Sequence, residues 1–303
     1  MSRKTVYTLL LFLTAMIWGA SFVAQSVSVG LVEPFTFSGV RITMGGLALL
    51  PVIRIMDLQQ GRGRQPLLPL RTDRDLRRSG LLCGTVLCIA SNLQQFGIQT
   101  TTAGKCGFIT AFYVALVPVF SVLLLKKRYG VLTWLGVALA MTGMYFLCLT
   151  GGFTVTAGDT LIFLCSIAYA FHILAVDRYT VLVDGVRLSC LQFLVAGGIS
   201  SVLMFLTEQP SISVILSAWK PICYSGLLSC GVAYTLQVIC QKELDSALAS
   251  LIMSLESVFS VLFGWLLLHE RLSPRELLGC ALTFSAVILV ELAPEIQGKK
   301  ENP

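Results

Sequence analysis

The sequence predicts an all-α integral membrane protein, with ten transmembrane helices arranged as two inverted five-helix repeats around a central cavity. Three observations lead there. First, 55% of the 303 residues are hydrophobic and 13% are charged, with a mean hydropathy of +0.82. Soluble domains carry about 25% charged residues, and 38 charges are too few to cover a water-soluble globule of this size. Second, the apolar residues fall in runs of membrane length. Third, the chain repeats itself. This composition excludes a disordered chain, a disulfide-stapled secreted domain and a nucleic-acid-binding module.

In order, the apolar runs cover residues 5–26, 34–55, 79–99, 105–125, 130–149, 157–177, 187–207, 216–240, 247–268 and 273–292. Each suits a helix crossing a hydrocarbon core of about 30 Å. Arg3 and Lys4 give the first run the look of a signal peptide. It is longer than an apolar h-region of about 7–15 residues and no small-residue cleavage site follows, so it reads as uncleaved. Turn residues mark the breaks: Glu33-Pro34, Gly151-Gly152, Gln209-Pro210 and Ser273-Pro274. The one long connection, 56–78, is rich in arginine and has no periodic apolar pattern.

Lysine and arginine in short loops set orientation. With the N-terminus inside, 17 of the 22 basic residues fall in cytoplasmic segments, among them Arg71, Arg74, Arg77 and Lys126-Lys127-Arg128. Four fall outside (Lys105, Lys220, Arg271 and Arg275), and Arg41 lies within a span. The expected location is therefore the cell membrane, multi-pass, with both termini cytoplasmic.

The duplication has a spacing of about 140–150 residues and divides the chain at 1–152 and 153–303. VFSVL occurs at Val119–Leu123 and again at Val258–Leu262. LLLKKRYGVLTWLG (Leu123–Gly136) aligns with LLLHERLSPRELLG (Leu266–Gly279), which implies an extra helical turn around Phe263–Trp265 in the second copy. Trp18 matches Tyr169, Arg41 matches Gln192, Gly46 matches Gly197, and Leu93-Gln94 matches Leu236-Gln237. Five spans per copy is an odd number, so the second copy enters the membrane inverted. Inverted repeats characterise secondary transporters, whose two antiparallel halves form equivalent inward-open and outward-open states.

TAMIWGASFVAQ (Thr14–Gln25), FITAFYVALVPVFSVLL (Phe108–Leu124) and SLESVFSVLFGWLLLHERLSPRELLG (Ser254–Gly279) resemble the EamA-like branch of the drug/metabolite transporter superfamily. The resemblance covers both repeats. It implies a ten-helix fold with a central cavity and export of a small metabolite or amino acid by alternating access. Where family members carry Glu-Pro in the ninth span, this chain has Glu256-Ser257, which puts a proline kink there in question. Related small transporters suggest a lipid-carrier flippase as the alternative. The candidate partners are a small-molecule substrate, the bilayer, a coupled proton or other ion, and a second copy of the chain as a homodimer. No nucleic acid is expected.

An enzyme is not expected either: the sequence has no HExxH, GxSxG, P-loop or paired-carboxylate motif. The ten cysteines are scattered singly without a CxxC pair, and there are two histidines, so neither a zinc cluster nor a cofactor is expected.

Polar groups inside spans are expensive and point to candidate sites. Arg41 and Glu256 lie deep in the second and ninth spans, at depths differing by about 6 Å at about 1.5 Å rise per residue. They read either as a structural ion pair or as a couple handling substrate or protons. Asn92, Gln95 and Gln99 share one helical face, as do Tyr234, Gln237 and Gln241. Both stripes suit a cavity lining or hydrogen bonding between helices. Trp18, Tyr113, Tyr169 and His172 complete the candidates, with packing as their alternative. Asp159 and Glu291, at span ends, read as solvated.

Overall fold

In a bilayer every backbone polar group must be paired within the protein, which leaves long apolar segments little choice but helix. The computed structural model describes residues 3–61, 66–101, 103–148, 156–268 and 273–296, and the regular structure among them is all helical. The first half contains α1 (Arg3–Ser28), α2 (Pro34–Gln59), α3 (Arg74–Gly97), α4 (Ala103–Thr110), α5 (Tyr113–Leu125) and α6 (Val131–Cys148). The second contains α7 (Ala157–Tyr179), α8 (Gly185–Thr207), α9 (Ile212–Ser217), α10 (Trp219–Cys223), a π-helix (Tyr224–Tyr234), α11 (Thr235–Cys240), α12 (Ser246–Met253), α13 (Glu256–Leu268) and α14 (Pro274–Ile296). Eight helical stretches among the described residues are long and apolar enough to cross a membrane, with Val131–Phe146 a shorter apolar helix beside them. The proposed division at 152/153 lies outside the described residues.

Several element ends in the two halves correspond at a constant offset. Ser28 and Tyr179 end α1 and α7, and Pro34 and Gly185 begin α2 and α8, in both cases 151 positions apart. After the long first-half connection the offset becomes 143. It relates the end of α4 to the end of α12, and the starts of α5 and α6 to the starts of α13 and α14. The shared pentapeptide therefore sits one turn out of structural register between the halves. The extra turn expected around Phe263–Trp265 is absent, since the starts of α13 and α14 lie the same distance apart as those of α5 and α6.

The apolar runs 105–125 and 247–268 are each interrupted, and at matching points. α4 gives way to α5 at Ala111-Phe112, and α12 gives way to α13 at Ser254-Leu255. Phe112 N–H bonds the Ile109 carbonyl and Val114 N–H that of Ala111; Leu255 bonds Ile252 and Ser257 bonds Ser254 in the same pattern. These three-residue bonds tighten the turn locally. In the first half Pro118 has no N–H for the Val114 carbonyl one turn further on. The second half has no proline to do this. Instead Ser250, Ser254, Ser257 and Ser260 each donate Oγ to the carbonyl three residues back, at 2.7–2.9 Å, a contact that bends helices.

The packing has the same two-fold character. α2 lies against α8 and α6 against α14, each element on its own counterpart, while α3 packs on α7 as the π-helix and α11 pack on α1. Without a hydrophobic drive between helices in lipid, close packing holds such pairs, and small residues permit it. A Cβ on Gly143 would lie 2.8 Å from the Gly279 oxygen, and Gly136 faces Ala286, the reciprocal pair of positions. The outward faces carry exposed Leu123, Phe205 and Leu206, as a lipid-facing surface requires.

Candidate functional site: a polar cavity between the halves

Glu256, the first residue of α13, is 4% exposed, and its Oε1 accepts a hydrogen bond from the Tyr113 hydroxyl at 2.9 Å. Tyr113 is the first residue of α5, so the two are counterparts at the matched breaks. A residue that touches its own counterpart lies on the axis relating the halves. Around this pair is a cavity lined by Trp18, Ser21, Phe22 and Gln25 of α1, Arg41 of α2, Gln94 of α3, Thr110 of α4, and Tyr169, His172 and Ile173 of α7. Ser229 and Tyr234 of the π-helix and Gln237 of α11 close it. Five of its matched pairs come one from each half: Trp18/Tyr169, Ser21/His172, Phe22/Ile173, Gln94/Gln237 and Tyr113/Glu256.

The cavity's free volume is about 30 Å³, enough for water and too little for an organic molecule of several heavy atoms. Its aromatic wall is tightly bonded. Tyr234 donates to Tyr169 at 3.1 Å, the Trp18 and Tyr234 rings are 4.6 Å apart, and the Trp18 indole N–H reaches the Ser229 carbonyl at 3.4 Å. The π-helix that carries Ser229 and Tyr234 is a rare element that recurs at functional sites.

Arg41 is 3% exposed, with its guanidinium 5.3 Å from the centre of the Phe37 ring. The expected reach of Arg41 to Glu256 is not realised as an ion pair. Both line the cavity, but Arg41 Nε and Nη2 have no hydrogen-bond partner among the described residues. The counterpart of Arg41 in the second half is the neutral Gln192, whose Oε1 is 3.0 Å from His172 Nε2. The counterpart of Glu256 is the neutral Tyr113. One half thus contributes an arginine and the other a carboxyl to the cavity, each opposite an amide or a phenol at the matching position.

Eight sequence candidates meet here: Trp18, Arg41, Tyr113, Tyr169, His172, Tyr234, Gln237 and Glu256. Asn92 and Gln95 do not line the cavity. Asn92 donates to Ser200 Oγ at 2.8 Å and Gln95 to Ser28 Oγ at 3.3 Å, tying α3 to α8 and to α1. Gln94 takes their place in the lining, one residue away on a helix that is polar on several sides; its match with Gln237 was the available signal. Ser21 and Gln25 follow Trp18 at helical spacing and were legible in the same way. Gln237 donates to Gln241 at 2.9 Å, and Gln241 in turn to the Ile173 carbonyl at 3.1 Å.

Ionic contacts hold the ends of the bundle. Lys127, between α5 and α6, donates to Asp177 at 3.1 Å and Asp245 at 3.0 Å, joining the two halves. Burial pulls the Lys127 ammonium down, but the Asp245 and Asp177 carboxylates more than reverse this and leave it above the ordinary lysine value. At the opposite end, Asp159 is not solvated as expected. It is buried, taking Lys105 at 2.6 Å and Thr101 at 3.0 Å. Glu291 pairs with Lys4 at 3.3 Å.

The EamA-like transporter family matches residues 5–149 and again residues 156–292. An uncharacterized transporter of Archaeoglobus fulgidus is 30% identical over 285 residues, covering 93% of this chain and 84% of that protein. The Bacillus subtilis protein called uncharacterized transporter YoaV is 21% identical, covering 90% and 92% respectively. A solved structure superimposes with a TM-score of 0.77 at 20% identity, covering 98% of this chain and all of the other, and so shares the fold. Two matched sets of helices, a buried polar cavity between them and family matches over both halves lead to one conclusion: the chain belongs to the EamA-like transporter family and is a multi-pass membrane transporter.

Proposed function

We propose that the chain is a secondary active transporter that exports a small metabolite across the cell membrane by alternating access, with both termini in the cytoplasm. The observation that supports this is the meeting of two matched, interrupted helices at a buried polar cavity, with Tyr113 and Glu256 at the first position after each break. Interrupted helices at corresponding positions of two halves mark transporter binding sites. Matched halves have two related ways of packing, and exchanging them moves the opening from one side to the other. The cavity is too small for cargo as it stands, so loading requires α1, α7 and the interrupted helices to part. The Lys127 cluster closes the end assigned to the cytoplasm, and the Lys105–Asp159 contact pins the other.

Glu256 is the proposed site for a coupled proton. Its one donor among the described residues is Tyr113, and Arg41, Tyr169, His172 and Tyr234 are the other ionisable groups of the lining. A buried carboxyl without a paired cation is stable only if it is protonated or meets a cationic ligand, which lets protonation and cargo binding exclude each other.

The test is untargeted metabolite profiling of cells overexpressing the chain against cells lacking it, followed by flux of the identified compound in proteoliposomes across a pH series. Depletion inside with enrichment outside, lost in Glu256→Gln, supports export. Accumulation inside reverses the direction, and redistribution of an amphiphilic lipid between leaflets supports the flippase. Orientation is read from single cysteines at Gln60 and Ser273 in a cysteine-free background. An impermeant thiol reagent on intact cells should label Ser273 alone.

A further inference from the structure

We infer that the closed cavity binds a halide ion, held by Arg41 and Ser21. Such an ion is a counter-ion of the closed state and is distinct from whatever the cavity carries.

Nε and Nη2 of Arg41 form the side of a guanidinium whose two N–H bonds point the same way, a fork that grips an anion between them. Both atoms are buried without a partner among the described residues, in a side chain that is 3% exposed and lines the cavity. Ser21 Oγ of α1 lines it too, is buried and is likewise unpartnered, so its hydroxyl is available as a third donor. The Cys230 thiol beside Arg41 is only a weak acceptor. The matching position in the second half, Gln192, is neutral and bonds His172, which leaves the cavity a single anion site.

No carboxylate of the neighbouring helices answers this charge. α2 packs chiefly against α8, the π-helix, α3 and α10. α8, the π-helix and α10 contain no aspartate or glutamate, and neither does α1. Asp75 of α3 stands in its first turn, and Asp57 of α2 takes Arg187. The aspartates of α7 lie at its ends, on Lys105 and Lys127. Glu256 is the one carboxyl among the lining residues, and it bonds Tyr113, not Arg41. Water satisfies N–H groups but not a charge, and a buried charge left without a counter-charge is strongly destabilising.

Size then selects the anion. A free volume of about 30 Å³ has room for roughly two water molecules. A carboxylate, sulfate or phosphate group does not fit until the helices part, whereas a halide is little larger than one water. With Glu256 in its protonated form, the closed cavity then contains one cation, one anion and a neutral carboxyl, and no net charge is buried.

The experiment uses the purified full-length chain in lipid nanodiscs, exchanged into sodium gluconate and titrated with chloride or bromide at constant ionic strength. The unfolding midpoint should rise and saturate with either halide, because an ion that binds only the folded state stabilises it. Arg41→Gln should abolish the rise. Arg41→Lys keeps the charge but loses the fork, and should weaken halide binding roughly tenfold. Arg78→Gln, at an exposed arginine, should leave the response unchanged. Crystals of the unaltered protein grown in bromide need no variant to fold: anomalous scattering should place an ion within hydrogen-bonding reach of Arg41. A midpoint indifferent to halide, a full response in Arg41→Gln, or bromide absent from Arg41 each overturns the inference and leaves water alone in the cavity. None of these measurements involves flux, so their failure leaves the transporter reading intact, and failure of that reading leaves the halide result standing.

Discussion

Tyr113 and Glu256 hold the same position in the two halves of the chain, each the first residue after a helix break, and they are bonded to one another at 2.9 Å. The bond places both on the axis between the halves. The repeat supplies the scaffold at this point, and a single difference between the two residues supplies the chemistry, with a phenol in one copy and a carboxyl in the other.

Removing the phenol hydroxyl should expose that dependence. Tyr113→Phe leaves Glu256 without a donor among the described residues, at an expected cost of about 1–3 kcal/mol in stability. Transport should fall, and its pH profile should move, because the hydroxyl no longer stabilises the charged carboxyl. Flux in proteoliposomes at a series of pH values measures both. An unchanged profile assigns Glu256 to packing.

Gln237 and Gln95 separate lining from packing. Gln237→Leu removes a polar group from the cavity, and transport should drop at normal abundance. Gln95→Leu breaks only the bond to Ser28, so it should cost about 1 kcal/mol of stability and leave transport per molecule intact. Equal transport loss in both variants contradicts the assignment of faces.

Lys127 of the first half pairs with Asp177 and Asp245, both of the second. Lys127→Met removes the shared cation from two carboxylates at a partly exposed site, so the stability cost should stay near 1–2 kcal/mol. The larger effect should be on state: with this end released, a cysteine replacing Gln237 should react faster with a thiol reagent applied from that side. A rate unchanged from the parent shows that the cluster does not hold the end closed.

Gly143 tests the α6–α14 contact. A Cβ there would meet the Thr283 nitrogen at 2.7 Å and the Gly279 oxygen at 2.8 Å, both backbone atoms that cannot yield separately. Gly143→Val should lower the unfolding midpoint, with an overpacking cost of about 1–3 kcal/mol or more. Gly198→Ala, facing open space, should leave the midpoint within error or raise it.

The sequence by itself determined the membrane class, the existence of the repeat and most of the residues that meet in the cavity. Partition into a bilayer depends on local apolar content, and a duplication survives in paired residues such as Arg41/Gln192 and Gly46/Gly197, so neither needs coordinates. Only the tertiary structure decided which face of each helix turns inward. α3 is polar on several sides, and its neighbours, through Ser28 and Ser200, chose Gln94 over Asn92 and Gln95 for the cavity. It likewise placed the breaks, because a serine hydroxyl turned back on a carbonyl interrupts α12–α13 with no proline to announce it. The same limit applies to Arg41 and Glu256: their depths could be counted along the chain, but whether they pair depends on how helices from opposite halves are rotated, which no single segment encodes.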